Sequence, residues 1–320
     1  MVSITTPALI GLDWGSSRLR ALLLGPRGEV LEERSSPQGA STLHGGSAAF
    51  VAALDALVPD WPSELPVLAC GMVGSRHGWR EVPYAECPAD ASRLARAART
   101  VNWHGRKVQL LPGLRCESEA GTPELMRGEE TQALGALQLE PALAEGACLV
   151  MPGTHSKWVA LREGRVQRFV THMSGEVYGL LRQHSVLGRL MPAQHGHESS
   201  EGSAADSAGL DAGLRAARAH GGLGLLQQLF AVRSLGLMER FDPAGLPAYL
   251  SGLIIGHELR AGLHWRERQG LAARPTRLVG EPALCRRYAR AFDIFEAGDA
   301  AGLAHCTAAG LALLAQQGIR

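Results

Sequence analysis

The chain has 320 residues, of which 46% are hydrophobic and 20% are charged, as is typical of folded globular proteins and not of disordered or fibrous chains. Lys and Arg (32) nearly balance Asp and Glu (31), so there is no overall basic field to hold nucleic acid or an anionic membrane surface. These values favour a small-molecule partner, and the length favours two domains over one.

The cysteines and the N-terminus indicate the compartment. Six cysteines lie far apart, with no Cys-x-x-Cys pair, so the sequence predicts reduced thiols and neither a zinc site nor a disulfide framework. Residues 1–6 lack the basic and apolar regions of a signal peptide, and the most apolar helical stretch, 223–238, contains two glutamines and an arginine. We therefore expect a cytoplasmic protein without membrane contact.

A strand meander opens the chain. Apolar runs at residues 8–12 and 19–24 and a third run at 29–34 are separated by turn-forming residues at 13–17 and 25–28. This alternation predicts three short strands connected by tight turns.

The following segment predicts a mixed α/β lobe. Helical patterns cover residues 46–58 and 90–101, while 67–70 and 108–111 are typical of buried strands. Helical spacing resumes at 129–138, where we expect the second lobe to begin.

A second meander then repeats the first. Strands are predicted at residues 147–151, 158–161 and 166–171, with a turn at 152–157 after the first of them. An internal duplication of this kind implies two related lobes that face each other across a cleft.

The segment 194–209 is polar and rich in small residues, which predicts an exposed loop. His195 and His197 within it could bind a metal. A solvated loop is the favoured interpretation, because no other ligands lie nearby in sequence. The remaining predicted elements are helices over most of 210–268, a strand at 276–279, and helices at 282–292 and 300–317.

The first turn offers a phosphate site. Asp13 ends an apolar strand, and Gly15, Ser16 and Ser17 follow with backbone N–H groups and hydroxyls. A carboxylate at this point could hold Mg²⁺ beside bound phosphates. The alternative is an ordinary hairpin turn capped by aspartate, which would be preferred if this turn stood alone.

The turn of the second meander has the same character, with Gly153, Thr154, His155 and Lys157. It is not a Walker A loop, because the GxxxxGK[ST] order is missing and a strand follows. The functional hypothesis is a second phosphate-binding hairpin, and the alternative is a turn without a ligand.

Between the two turns, Glu129 and Glu130 begin a helix after a glycine. Phosphoryl transfer to a sugar hydroxyl needs a carboxylate that accepts the proton and orients the attacking oxygen. The alternative is a helix whose first turn is enriched in acids because of the helix dipole.

Two further segments are candidates for ligand contacts. A glycine-rich loop after the strand at 67–70 carries Arg76, which could hold a carboxylate while Trp79 or Tyr84 stacks on a carbon chain; the alternative is a solvated surface connection. At Gly280 a strand passes into a helix, and the backbone could lie against a planar base there. The alternative is a proline in the first helical turn.

The order of these motifs resembles that of the actin/hexokinase-like ATPases. LDWGSS is similar to the first phosphate motif of that fold, MPGTHSKW to the second and LVGEPALC to the adenosine motif. Over nearly the whole chain, the blocks GMVGSRHGWREVPYAECPA, MRGEETQALG, MPGTHSKWV, THMSGEVYGLLRQHSVLGR and YLSGLIIGHELRAG together resemble the 2-dehydro-3-deoxygalactonokinase family.

This resemblance implies an α/β fold of the ribonuclease H-like type, with duplicated βββαβαβα lobes at 1–128 and 129–320 and a central cleft. The last helix could pack back on the first lobe. The implied activity is ATP-dependent phosphorylation of the 6-hydroxyl of 2-dehydro-3-deoxy-D-galactonate in galactonate catabolism, with Mg²⁺.

The resemblance also implies roles for individual residues. Glu130 is the expected base, with Glu129 as the alternative, and Asp13 is the expected metal ligand. The expected phosphate and nucleotide contacts are Asp13, Gly15, Ser16, Ser17, Gly153, Thr154, His155, Lys157, Gly280, Glu281 and Pro282. The expected substrate contacts are Gly74, Ser75, Arg76, His77, Trp79, Ser174 and Glu176.

Other functions stay open at this point. They are a kinase for an epimeric acid such as 2-dehydro-3-deoxygluconate, a phosphohydrolase of the same fold, and a sugar sensor without catalysis. The apolar helices between residues 210 and 268 could also bury a surface against a second copy of the chain in a homodimer.

Overall fold

The computed structural model describes residues 6–192 and 202–318. The chain folds into two compact units. The first comprises Met1–Gly146, Val159–Val170 and His305–Arg320, and the second comprises Ala147–Trp158 and Thr171–Ala304. The last helix therefore belongs to the first unit. The boundary after residue 128 stays a prediction.

Strands and helices are mixed along the chain, as in α/β proteins. The strands are β1 (Leu9–Trp14), β2 (Leu19–Leu24), β3 (Val30–Ser36), β4 (Val67–Gly71), β5 (Ala85–Glu86), β6 (Arg99–Trp103), β7 (Arg106–Leu110), β8 (Leu114–Glu117), β9 (Pro123–Met126), β10 (Ala147–Met151), β11 (Ser156–Arg162), β12 (Arg165–His172), β13 (Thr276–Leu278) and β14 (Ala300–Gly302). The helices are α1 (Ser47–Leu57), α2 (Ala91–Ala97), α3 (Glu129–Leu139), α4 (Ser174–His184), α5 (Ala204–His220), α6 (Leu225–Leu237), α7 (Leu246–Arg268), α8 (Pro282–Phe295) and α9 (Cys306–Ala315).

The first sheet has the strand order β3-β2-β1-β4-β7-β6. β1 is antiparallel to β2 and parallel to β4, and β7 continues the parallel part. The central strands β1 and β4 are almost wholly buried, as expected for strands covered on both faces, whereas β3 at the edge is largely exposed and charged. The predicted N-terminal meander is confirmed.

The second sheet has the order β12-β11-β10-β13-β14. β13 is parallel to both β10 and β14. The first five strands of the first sheet follow the same pattern, in which a meander of three strands is extended by two strands parallel to its first one. The predicted duplication of the meander is therefore confirmed. A small sheet, β5-β8-β9, completes the first unit.

An aromatic cluster forms part of the core of the first unit. The ring of Trp14, which is fully buried, lies 5.2 Å from that of Phe50 and 6.2 Å from that of Trp79, measured between centroids. The indole N–H of Trp79 donates to Ser47 Oγ at 2.7 Å. This cluster fixes the position of β1 relative to α1 and to the loop that follows β4.

Helices α3 and α9 pack unusually closely through glycines. A Cβ atom at Gly135 would lie 1.8 Å from the carbonyl oxygen of Cys306, and one at Gly310 would lie 1.9 Å from that of Thr131. Only glycine allows the two backbones to approach this far. The first turn of each helix is thereby held against the second turn of the other.

The structure corrects three predicted elements. The helix predicted at 90–101 ends at Ala97, and the chain turns into the hairpin β6–β7. The helix predicted at 300–317 begins only at Cys306, after the short strand β14. The loop predicted at 194–209 gives way to α5 from Ala204 onward, and its residues 194–201, with both histidines, lie outside the described residues.

All six cysteines are free thiols, as predicted. Across the described ranges, 6–192 and 202–318, none of the helices combines the length and the hydropathy required to cross a bilayer.

Candidate functional site

The first glycine-rich turn connects β1 to β2. Gly15 N donates to the carbonyl oxygen of Arg18 at 2.9 Å, and Ser16 and Ser17 between them are exposed. The backbone at Gly39 packs directly against this turn, since a Cβ there would lie 2.2 Å from the Ser16 carbonyl oxygen. The turn is thus supported by neighbouring backbone and presents two hydroxyl groups at the surface, and phosphate binding by it stays a prediction.

Asp13 is half-buried and belongs to a polar chain. Its Oδ2 atom accepts a hydrogen bond from Arg20 Nη2 at 2.9 Å. Arg20 Nη2 also lies 3.4 Å from Thr307 Oγ1, which accepts a second hydrogen bond from Gln132 Nε2 at 3.4 Å. This series of hydrogen bonds connects the hairpin β1–β2 to α3 and α9. Arg20, Thr307 and Gln132 were not predicted as site residues.

Glu130 is fully buried at the start of α3, and the residue before the helix, Gly128, has φ 112°. Its carboxyl group accepts from Gly128 N at 2.7 Å and from Thr131 Oγ1 at 3.2 Å. Burial, followed by the neighbouring charge of Glu129, raises the pKa of Glu130 to about 8. In this arrangement the group is mostly protonated at neutral pH and titrates within the range in which a general base is useful.

Cys70 shows that Asp13 and Glu130 lie in one neighbourhood. It pairs with Asp13 in the parallel register of β1 and β4. Burial raises the pKa of its thiol, and the charges of Asp13 and Glu130 raise it further. Because both carboxylates act on this one thiol, the structure brings the predicted metal ligand and the predicted base together within the first unit.

The residues of the glycine-rich loop after β4 differ in their exposure to solvent. Gly74 is buried and Ser75 is half-buried, whereas Arg76 and His77 are exposed. Trp79 lies in the aromatic core, so its environment favours a structural role. Substrate binding by these five residues stays a prediction.

The second turn lies between β10 and β11, in the second unit. The backbone of α4 packs against it: Glu176 N donates to the carbonyl oxygen of Thr154 at 3.0 Å, and a Cβ at Gly175 would lie 2.5 Å from the carbonyl oxygen of Gly153. Ser174 and Glu176, predicted as substrate contacts, therefore lie beside the predicted phosphate contacts of this turn.

Two nitrogen-bearing side chains belong to the same turn, those of His155 and Lys157. His155 Nε2 pairs with Glu176 Oε2 at 2.5 Å. Lys157 is buried, and its ammonium group donates to the carbonyl oxygen of His155 at 3.1 Å. The turn therefore combines a fixed ammonium group with a histidine–carboxylate pair.

The predicted adenosine segment adjoins this turn. Val279 N donates to the carbonyl oxygen of Val150 at 2.9 Å, and a Cβ at Gly280 would lie 3.2 Å from the carbonyl oxygen of Pro152. The carboxylate of Glu281 caps α8 by accepting from the backbone N–H groups of residues 283 and 284, which lowers its pKa. Pro282 is the first residue of α8. A nucleotide contact by these residues stays a prediction.

Comparison with known proteins identifies the family. The sequence matches the 2-keto-3-deoxy-galactonokinase family over residues 13–314. It is 37% identical over 290 residues to the 2-dehydro-3-deoxygalactonokinase of Escherichia coli, covering 90% of each chain. The chain belongs to the 2-keto-3-deoxy-galactonokinase family.

Solved structures agree with this assignment. A crystal structure of a Sinorhizobium meliloti protein ascribed to the 2-dehydro-3-deoxygalactonokinases superposes with a TM-score of 0.81 and 32% identity, over 96% of this chain and 98% of the other. Component A of the (R)-2-hydroxyglutaryl-CoA dehydratase of Acidaminococcus fermentans gives a TM-score of 0.50 at 11% identity, covering 98% and 99% of the two chains, a likeness in fold alone. The fold is that of the actin/hexokinase-like ATPases, as predicted.

In this member of the family, a buried network supports the second turn. Ser156 Oγ lies 3.1 Å from the hydroxyl oxygen of Tyr288, and Tyr288 donates to Glu258 Oε2 at 2.5 Å. Glu258 Oε1 accepts from Trp158 Nε1 at 3.0 Å. The network anchors the strand that follows the turn to α7 and α8. It was not predicted, because no local sequence pattern relates residues this far apart.

The metal predicted from the sequence is Mg²⁺. Within residues 6–192 and 202–318, no group of three or more His, Cys, Asp or Glu side chains could hold an ion by itself. Mg²⁺ does not need such a group, because it keeps several waters and binds to one or two carboxylates together with substrate phosphates. Asp13, beside the first glycine-rich turn, is a carboxylate of this kind, and Mg²⁺ binding by it stays a prediction.

Proposed function

We propose that the protein is an ATP-dependent kinase that phosphorylates the 6-hydroxyl group of 2-dehydro-3-deoxy-D-galactonate in galactonate catabolism. Membership of the kinase family over residues 13–314 supports the proposal. The observation that carries it is the placement of Asp13 and Glu130 around Cys70, because phosphoryl transfer needs one carboxylate for the metal and another for the proton.

In the proposed reaction, the 6-hydroxyl oxygen attacks the γ-phosphorus of ATP. A bond forms between this oxygen and phosphorus, the bond from phosphorus to the β,γ-bridging oxygen breaks, and ADP leaves. The hydroxyl proton passes to the ionised carboxylate of Glu130. Glu129 is half-buried and is the alternative acceptor; its Oε2 atom accepts from Arg127 N at 3.0 Å. Positioning and charge stabilisation account for most of the acceleration in such reactions.

The two turns are the proposed phosphate contacts. In the first, Asp13 would hold Mg²⁺, which supplies charge neutralisation at the phosphates when bound. In the second, the backbone at Gly153 and Thr154 would bind phosphate oxygens, with Lys157 as the nearby cation. The segment at Gly280 would lie against the adenosine.

We also infer that the enzyme forms a homodimer through α6. Leu226, Phe230 and Leu237 are 86%, 61% and 52% exposed, and their spacing places them on one face of the helix, together with Leu223 just before it. Such a stripe is typical of a surface covered by a partner. Light scattering after gel filtration should give a dimer mass for the wild type and a monomer mass for Phe230→Glu. The same change at Leu125, which is 45% exposed on β9 in the first unit, is the control.

We infer that the protein is located in the cytoplasm. It is supported by the free thiols of all six cysteines and by the use of ATP as phosphoryl donor.

The function is tested by a coupled assay of ADP release with MgATP and a panel of 3-deoxy-2-keto sugar acids. We expect the galacto acid to give the highest kcat/KM, the gluco epimer a lower value, and no ADP release without sugar acid. A higher value for the gluco epimer would overturn the substrate assignment. ATP hydrolysis that is independent of added acid would overturn the kinase assignment.

A further inference from the structure

Cys87 and Cys116 face each other across two neighbouring strands of the small sheet. β5 is parallel to β8, with Ala85 opposite Leu114. The backbone N–H of Cys87 donates to the carbonyl oxygen of Arg115 at 2.9 Å. In a parallel ladder, this bond places Cys87 opposite the residue that follows Arg115, which is Cys116.

The side chains of this ladder agree with that register. Arg115 lies opposite Glu86, and its Nη2 atom is 2.8 Å from Glu86 Oε1. Since side chains alternate between the two faces of a sheet, Cys87 and Cys116 share the other face. There the two thiols hydrogen-bond to each other, which lowers the pKa of the Cys116 thiol and raises that of Cys87. Cys87 is therefore the donor in this contact.

The two sulfur-bearing residues differ in their exposure to solvent. Cys116 is 9% exposed, and its Sγ atom donates to the carbonyl oxygen of Phe169 on β12 at 3.5 Å. Cys87 is half-buried, whereas the other five cysteines of the chain are all buried. A small oxidant therefore has access to Cys87 from solvent, and Cys116 is held beside it as a second thiol.

We propose that Cys87 and Cys116 are a modification site at which hydrogen peroxide reversibly joins the two sulfurs in a disulfide. Neighbouring strands lie about 5 Å apart, and a disulfide needs Cα atoms about 4.4–6.8 Å apart, so opposite residues meet this requirement with the backbone in place. Disulfides of cytoplasmic proteins are typically transient and respond to oxidants. A pair that is reduced in the resting protein fits this class.

Two successive displacements form the disulfide. In the first, Cys87 as thiolate attacks one peroxide oxygen: an S–O bond forms, the O–O bond breaks, and hydroxide leaves and takes up the Cys87 proton as water. In the second, the sulfur of Cys116 attacks the sulfenic acid on Cys87: the S–S bond forms, the S–O bond breaks, and hydroxide leaves and takes up the Cys116 proton as water. The two sulfurs together lose two electrons, and these reduce the peroxide to two waters.

Peptide mapping tests the proposal. The full-length protein would be treated with hydrogen peroxide, blocked with iodoacetamide without reductant and digested, and its peptides would be identified by mass spectrometry. We expect a cross-linked pair of peptides that contain Cys87 and Cys116, lighter by two hydrogen atoms than the separate peptides, and the loss of two of the six thiols. Dithiothreitol should restore both thiols. Because the readout is a mass, the result does not depend on the proposed kinase activity.

Three comparisons separate a pair positioned by the fold from general oxidation. Cys87→Ser and Cys116→Ser should each abolish the cross-link, and Cys285→Ser, which removes a buried thiol in the second unit, should keep it. In urea the cross-link should form more slowly and should include other cysteines, because unfolding separates β5 from β8.

Three results would each overturn the proposal. They are sulfinic acid on Cys87 with Cys116 still a free thiol, a cross-link to another cysteine in the folded protein, and equal rates of cross-linking with and without urea. If a serine variant fails to fold, as judged by its melting curve, the peptide map of the wild type with and without urea decides.

Discussion

Asp13 and Arg20 lie directly opposite each other across the antiparallel pair β1–β2, and Arg20 Nη2 is 2.9 Å from Asp13 Oδ2. Opposite positions on neighbouring strands bring side chains within reach of each other, so the hairpin itself creates this ion pair. The pair is half-exposed and contributes little to stability. The pair matters for orientation, because it holds the Asp13 carboxylate beside the first glycine-rich turn.

Asp13→Asn should lower kcat/KM for MgATP by roughly a hundredfold, the scale for removing one group that stabilises charge during transfer. The amide keeps the shape of the side chain and loses the charge that would hold Mg²⁺. Steady-state kinetics at several Mg²⁺ concentrations would measure the effect, with Arg274→Gln as a charge-changing control at an exposed position. A variant with wild-type kinetics would mean that the metal ligand lies elsewhere.

Glu130→Gln should lower kcat by roughly a hundredfold or more with little change in KM for the sugar acid, as expected when a positioned base is lost. Glu129→Gln is the matched comparison, because the two residues are neighbours in the first turn of α3. We expect a small effect at position 129. If the large loss occurs there and Glu130→Gln turns over normally, the base is Glu129.

The pH dependence of kcat should follow the ionisation of Glu130. Only the ionised carboxylate accepts a proton, and the pKa of this group is raised to about 8. The rate should therefore rise with pH below about 8 and level off above it. Initial rates between pH 6 and 9, at saturating substrates, would measure this. A flat profile for the wild type would contradict the assignment, whereas a flat and low profile is expected for Glu130→Gln.

The local order of strands and turns could be predicted where the chain gives strong signals. The first meander follows from apolar runs of strand length bounded by glycine and proline. The hairpin β6–β7 was missed because the helical spacing of the preceding segment was extended too far. Its turn residues, His104 and Gly105, have φ 49° and 86°, and a histidine–glycine pair between alternating residues is a signal that could have revealed it.

The environment of the candidate site could be predicted less well. The acidic pair at the start of α3 was identified as a possible base from its place in the chain. Complete burial of Glu130 could not be foreseen, because acidic residues in the first turn of a helix are usually solvated. Arg20 could have been inferred from the hairpin register opposite Asp13. The contacts of Arg127 with Val82, Tyr84 and Gly74 could not be foreseen either, because no local pattern relates these residues to it.

Glu130 should also make stability depend on pH. Its pKa rises from the ordinary value of 4.5 to about 8 on folding, so between these values the folded state keeps a proton that the unfolded state has lost. The stabilisation from this proton is complete below 4.5 and is lost as pH rises through 8, with a slope of about 1.4 kcal/mol per pH unit at most. Urea unfolding of the wild type and Glu130→Gln from pH 5.5 to 8.5 would measure it. The difference should shift steadily against the wild type; a constant difference would contradict the raised pKa.

Gly135→Ala should destabilise the protein by about 1–3 kcal/mol or more, because the new methyl group would overlap the carbonyl oxygen of Cys306 and force α3 and α9 apart. Gly179→Ala is the control: its Cβ would meet nothing within 4 Å in α4, so better helix propensity should stabilise by up to about 1 kcal/mol. Thermal unfolding would measure both. Since α3 carries Glu130 and α9 carries Thr307, the shift in Gly135→Ala should also lower kcat at temperatures where the variant is fully folded. A loss of stability with unchanged kcat would mean that the close helix contact supports the fold without positioning the proposed base.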